Sequence, residues 1–285
     1  MRNRITRALT RGTTTRELAE QLMEIPGVVA VTLGGSRAGG VIHPDSDWDF
    51  GLYYRDAIQA DDVRALGFDG TVVEPGAWGR LVNGGAWLTV EDQRVDLLYR
   101  DLDGVQHWLE EGEAGRYEID QVEGYLAGMA TYVLAGELAL AELLAGELPR
   151  PGFPDALRQA APGRWRRSAG FSLAIADTAA ARHDVVSCAG LLAKAAIEAA
   201  QAALAEHGEW ALNEKAIVRR AALGTRVEGI IAAPGDRPFE LSRAVTAMRA
   251  ALGIPPGSSP TPSPRMRAAR AGRPTARESP STFPS

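Results

Sequence analysis

Asp47, Asp49 and Asp96 are the residues of this chain whose types and spacing could do chemistry. In Ser46-Asp47-Trp48-Asp49-Phe50 two carboxylates stand one residue apart. On extended backbone, residues i and i+2 share a face, so both acids point one way while Trp48 and Phe50 point to the other, apolar side. Asp96 interrupts the apolar run Val95-Asp96-Leu97-Leu98-Tyr99, where a bare carboxylate is costly unless it is paired or bound to a metal. Magnesium prefers hard oxygen ligands. Two such ions, about 4 Å apart, clamp the attacking and leaving oxygens of a phosphoryl group during in-line displacement. The third carboxylate could also take the proton from an incoming hydroxyl.

A second group precedes the acids. Leu33-Gly34-Gly35-Ser36-Arg37 follows the short apolar run 28–33. Small residues let backbone approach a phosphate, and the Ser36 hydroxyl with a nearby helix N-terminus supplies donors. Arg37 adds positive charge at the same place. The elements that must position these residues alternate in type. Residues 16–24 carry apolar side chains at helical spacing, and the run 28–33 reads as a strand buried on both faces. Residues 47–54 read as a second strand, 60–67 as a short helix and 71–73 as a short strand. Residues 87–90 and 94–99 form a predicted hairpin across Glu91-Asp92-Gln93, although that turn lacks glycine. Residues 101–111 follow as a helix.

From about Tyr117 the pattern becomes helical. Val122, Tyr125, Leu126, Met129 and Val133 fall on one helical face, and an alanine-rich helical pattern continues to Ala145. Pro151 to Pro154 breaks it. Further helices are expected over 164–181, 185–206, 214–222 and 239–252. The fold class expected is α+β: a mixed sheet flanked by helices, followed by an all-helical domain. The domains read as 1–115 (catalytic), 116–254 (helical, accessory) and 255–285 (tail). Pro, Ser and Gly fill 16 of the last 31 positions, with five Arg and one Glu among the rest. Such a tail cannot bury enough surface to offset its ordering entropy.

Composition narrows the function classes. A formal charge of −5 argues against a general nucleic-acid or anionic-membrane binder, whose affinity rests on many Lys and Arg. The single cysteine, Cys188, excludes an internal disulfide and a thiolate zinc cage, and its apolar neighbours make it a small buried residue. No uninterrupted apolar run approaches a membrane span, and the N-terminus lacks a signal core. A cytoplasmic enzyme is expected.

Taken in order, Gly35-Ser36, Asp47-x-Asp49 and the later Asp96 resemble the signature of the DNA polymerase β-like nucleotidyltransferase superfamily, in its small-molecule and aminoglycoside branch. The resemblance covers roughly residues 16–112. It implies that Gly35 and Ser36, with Arg37 beside them, bind the β- and γ-phosphates of a nucleoside triphosphate. Asp47 and Asp49 would hold two magnesium ions. Asp96 would hold the catalytic ion and help deprotonate the acceptor. The implied reaction moves a nucleoside monophosphate, AMP from ATP, to a hydroxyl of a small molecule and releases pyrophosphate. Related enzymes sometimes complete their sites across a homodimer. Two rival readings remain: a protein or RNA acceptor, as in toxin–antitoxin nucleotidyltransferases, and a non-catalytic nucleotide sensor.

Other candidates have bland readings. Lys194 and Glu198 are one helical turn apart and read as a surface ion pair. Asn213-Glu214-Lys215 reads as a helix cap with a first-turn acid. Arg164, Arg166 and Arg167 read as a solvated basic turn around Trp165. Glu74 is either an exposed loop acid or a lining of the acceptor pocket. Trp87 reads as packing, and His43 as a loop residue between the glycine turn and Asp47.

Overall fold

Short hydrogen-bonded apolar segments build the sheet that carries the acids. The computed structural model describes residues 14–35 and 47–256; Ser36, Arg37, His43 and nearly all of the proline-rich tail lie outside them. The strands are β1 (Val28–Leu33), β2 (Trp48–Tyr54), β3 (Asp69–Val72), β4 (Gly85–Val90), β5 (Gln93–Asp101) and β8 (Glu142–Gly146). They lie in the order β3-β4-β5-β2-β1-β8. Only β2 and β5 run parallel; the other neighbours are antiparallel. The sheet is therefore mixed. A two-stranded ladder, β6 (Ile119–Asp120) with β7 (Met129–Ala130), stands apart from it.

Helices cover both faces. On one side α1 (Thr15–Met23) and α2 (Ala60–Arg64) bring Leu18, Leu22 and Val63 against Phe50, Leu52, Val95, Leu97 and Tyr99. Helix α1 begins with a reciprocal cap: Glu17 N–H donates to the Thr14 hydroxyl at 3.2 Å, and Thr14 N–H donates to the Glu17 carboxylate at 2.7 Å. On the other side α4 (Leu102–Glu113) and α5 (Val133–Leu140) pack Leu102, Val105, Val133, Leu134 and Leu138 over Ala30 and Tyr53. The single turn α3 (Gly79–Val82) adds Leu81 to this side. Arg100, only 5% exposed, points to this second side and is held by Glu137 of α5 through bonds of 2.6 and 2.8 Å. It also donates to the carbonyls of Val82 and Tyr99. Burial alone would lower the guanidinium's pKa, but Glu137 outweighs it and the net shift is upward.

Three local expectations are corrected. Residues 117–132 are not a helix: Gly124 and Gly128 adopt φ of 81° and 88°, and the flanking residues pair as β6 and β7. The apolar side chains at helical spacing instead serve irregular backbone. The helix expected to continue to Ala145 stops at Leu140, and residues 142–146 pair with β1 as an edge strand. The short helix expected over 214–222 shrinks to one turn, α8 (Ile217–Arg220). The hairpin turn needs no glycine, because Glu91 and Asp92 themselves take φ of 45° and 68° between Val90 and Gln93. Such left-handed pairs are what two-residue hairpins require.

The long helices are α6 (Asp155–Ala181) and α7 (Val185–His207), with α9 (Gly224–Ala232) and α10 (Pro238–Leu252) following. The chain divides into two compact units: residues through Trp165 together with Ile197–Thr225, and Arg166–Ala196 together with the residues from Arg226 onward. In the first unit an aromatic cluster joins Tyr117, Tyr132, Phe153, Trp165 and Trp210. Trp165 is fully buried and its indole donates to the Tyr132 hydroxyl at 2.9 Å. Its neighbour Arg164 donates to the Tyr117 carbonyl and lies 4.5 Å from that ring's centroid. The expected basic turn is thus a stretch of helix around a core tryptophan. In the second unit Arg249 of α10 pairs with Asp177 of α6 at 2.7 Å. Cys188 is buried, as its neighbours suggested, and burial raises its thiol pKa. Helix α7 is long and apolar enough to cross a membrane by length and composition, and half of its most apolar window is buried within the protein.

Candidate functional site

The parallel pairing of β2 with β5 sets Asp49 directly opposite Asp96, with Trp48 opposite Val95 and Phe50 opposite Leu97. Neighbouring strands lie about 4.8 Å apart, so the two carboxylates rise side by side from one sheet face. Trp48, Phe50, Val95 and Leu97 are buried on the opposite face, whereas Asp47, Asp49 and Asp96 are half-buried. The acids share the sheet face that α4 and α5 cover further along.

The glycine turn is laid against Asp49. Gly34 N–H donates to the Asp49 carbonyl at 2.7 Å, and Gly35 adopts φ of 63°. A Cβ on residue 35 would fall 1.8 Å from Asp49 Oδ2. The absent side chain thus makes room for a carboxylate, a closer relation between turn and acid than spacing alone predicts.

Charge is concentrated here. Burial, then the negative charge of Asp47, raises the pKa of Asp96; Arg94 and Lys215 pull it back. Arg94 Nε lies 2.8 Å from Asp47 Oδ1, both side chains being substantially exposed. Lys215 reaches this neighbourhood from a remote stretch of sequence. Glu214 beside it accepts from the backbone N–H groups of Leu126 and Ala127 at 2.9 and 2.8 Å, and Asn213 accepts from Lys215 N–H at 2.9 Å. Glu214 precedes α8 and anchors a loop; it is not a first-turn acid.

Among the described residues no three His, Cys, Asp or Glu side chains converge closely enough to hold a metal ion alone. The residues present nevertheless fit magnesium in kind. That ion commonly takes one or two carboxylates and completes its shell with water and substrate phosphates. Asp47, Asp49 and Asp96 offer hard oxygens, and the mutual repulsion evident at Asp96 is what a bound cation relieves.

Other sequence candidates resolve differently. Glu198 is 3% exposed and Gln201 is also buried, so the polar stripe of α7 is not a solvated surface. Glu74 pairs with Arg64 at 2.9 Å. Trp87 is not a core side chain: it is 51% exposed, stands opposite Asp96 on β4, and packs only against Trp78 among the ring contacts of the described residues, with centroids 4.6 Å apart. Alternation could have found it, since Ala86, Leu88 and Val90 are buried along that strand while Trp87 and Thr89 between them are exposed.

No protein-family model matches the chain, and no curated protein does. Among solved structures it is similar to the crystal structure of a nucleotidyltransferase-like protein from Exiguobacterium sibiricum 255-15. That likeness has a TM-score of 0.44 and 12% identity over 84% of this chain and 73% of the other. The chemistry open to the site follows from its own side chains.

Proposed function

We propose that the protein is a magnesium-dependent nucleotidyltransferase that moves AMP from ATP to a hydroxyl of a small molecule and releases pyrophosphate. The observation that carries this reading is the in-register Asp49–Asp96 pair with the Gly34–Gly35 turn pressed against Asp49. It supports carboxylates that would hold magnesium beside a turn that would receive phosphates, with one carboxylate left to take the acceptor's proton.

In this reading the turn at Gly34–Gly35, continued by Ser36 and Arg37, receives the β- and γ-phosphates. Asp47 and Asp49 hold magnesium, and Asp96 joins them. When bound, magnesium supplies positive charge where the phosphoryl oxygens gain negative charge. Asp96 accepts the acceptor's hydroxyl proton as the new oxygen–phosphorus bond forms and the bond to pyrophosphate breaks. The reading includes a cytoplasmic location.

Calorimetric titration with ATP, CTP and GTP, with and without magnesium, tests the reading against the double variant Asp47→Ala/Asp49→Ala. Magnesium-dependent ATP binding that is lost in the double variant is expected; binding that survives it refutes the proposal. Labelled ATP incubated with a cell lysate then identifies the acceptor class. Label on a small product is expected, and label on protein or RNA would favour a macromolecular acceptor.

A further inference from the structure

The register that sets Asp49 opposite Asp96 and Trp48 opposite Val95 also brings Asp47, just before β2, abreast of Arg94. Residues two apart share a strand face. Asp47, Asp49, Arg94 and Asp96 therefore form one block on two strands, three acids and one base. The base is engaged: Arg94 Nε lies 2.8 Å from Asp47 Oδ1. We propose that Arg94 competes with the metal for Asp47 and changes partner to the triphosphate when metal and nucleotide arrive together, so that the site resists a divalent ion alone and admits it with its nucleotide. The inference rests on the transfer chemistry proposed above and assigns an order of binding to that site.

Competition follows from contact. Asp47 Oδ1, the oxygen that Arg94 approaches, is buried although 37% of the Asp47 side chain is exposed. Magnesium bonds a carboxylate oxygen at about 2.1 Å. A guanidinium nitrogen 2.8 Å from that same oxygen would then stand within about 5 Å of a doubly charged ion. Repulsion at that range weakens metal binding by an order of tenfold even at the dielectric of bulk water, before salt reduces it.

Release of Asp47 costs little. The Arg94 side chain is 69% exposed, and an exposed ion pair adds little stability, because solvent screens it and two side chains must be ordered to keep it. The planar fork of an arginine also suits two phosphate oxygens better than it suits one carboxylate oxygen.

Charge then sets the order. A divalent ion alone meets three carboxylates already partly neutralised by Arg94, and it displaces the guanidinium without giving it a new partner. Magnesium–ATP carries net negative charge, so its phosphates take up the guanidinium that the metal displaces. The same side chain therefore opposes the first event and favours the second.

The test uses the full chain as wild type, Arg94→Gln and Arg94→Lys, at fixed ionic strength. Manganese added without nucleotide, followed by the paramagnetic resonance of the free ion, reads binding of metal alone. Calorimetric titration reads binding of magnesium–ATP. Arg94→Gln removes the charge and is expected to bind manganese about three- to tenfold more tightly than the wild type, and magnesium–ATP about three- to tenfold more weakly. Arg94→Lys keeps the charge without the fork. It should bind manganese as the wild type does and fall between the other two for magnesium–ATP. Shifts of opposite sign are the signature, since loss of a merely structural surface pair moves neither affinity. Manganese binding that is unchanged or weaker in Arg94→Gln overturns the proposal, as does magnesium–ATP bound by that variant as tightly as by the wild type. Absence of magnesium–ATP binding in the wild type is a different result: it refutes the transfer chemistry itself, and the phosphate half of this proposal falls with it.

Discussion

Replacing Gly35 with alanine puts the relation between turn and acid under direct stress. The new methyl meets Asp49 Oδ2 at 1.8 Å, so the carboxylate has to retreat by about 1.5 Å to reach ordinary contact. The backbone adds its own cost, since a φ of 63° in a residue with a Cβ disfavours the fold by about 1–2 kcal/mol. Gly67 separates the two effects: its φ is 76°, but a Cβ there meets nothing within 4 Å. Gly67→Ala should therefore lower the melting temperature by only the conformational share, about 2–6 °C for a protein of this size. Gly35→Ala should lose at least as much. It should also weaken magnesium–ATP binding by about tenfold or more, as expected when one charge-assisted contact is displaced. Paired thermal melts and calorimetric titrations measure both quantities. If the two variants melt alike and bind magnesium–ATP as the wild type does, the idea that Gly35 exists to make room for the Asp49 carboxylate is refuted.

Other outcomes follow from side chains whose partners are known. Asp96 has a folded-state pKa raised above that of the unfolded chain. Its contribution to stability is therefore present at low pH and lost as pH rises through the folded value. In chelated buffer, Asp96→Asn should gain on the wild type as pH is raised through the carboxylate range, and melts showing the wild type gaining instead would contradict this. Glu137→Ala strands the buried Arg100 guanidinium and should cost about 3 kcal/mol in urea unfolding; a loss under about 1 kcal/mol would mean water replaces the carboxylate. Trp165→Phe leaves the Tyr132 hydroxyl without its indole donor and should cost about 1–3 kcal/mol. A change within about 0.5 kcal/mol, as at an ordinary surface position, would show that the bond is not needed.

The acids were legible because two-residue alternation carries its own geometry. Asp47 and Asp49 against Trp48 and Phe50, and Asp96 among Val95, Leu97 and Tyr99, declare which face is buried. The in-register meeting of Asp49 with Asp96 could not be read, since it depends on β2 and β5 pairing in parallel across the intervening residues 55–92. Residues 117–132 misled because helical spacing of apolar side chains says nothing about glycine conformation, and Gly124 and Gly128 take left-handed backbone there. Trp87 was misjudged on residue type, as large apolar side chains are most often core. Its strand neighbours Gly85 and Thr89 were the better guide. Lys215 is near Asp96 on a segment that Glu214 ties to the backbone of residues 126 and 127, a link with no local trace in the sequence.

The strand β8 has a consequence for how the chain reaches this state. Val31 pairs with Ala145, and Leu33, at the threshold of the glycine turn, pairs with Glu142. These partners are about a hundred residues apart in the chain. Contacts of such long range slow folding because loop closure must precede the pairing. Until residues 142–146 emerge from the ribosome, β1 is a bare sheet edge of apolar residues, open to pairing with another chain. The nascent protein is thus most prone to aggregate after its acids are already translated, and the turn beside Asp49 gains its final support only when a segment far downstream closes the sheet.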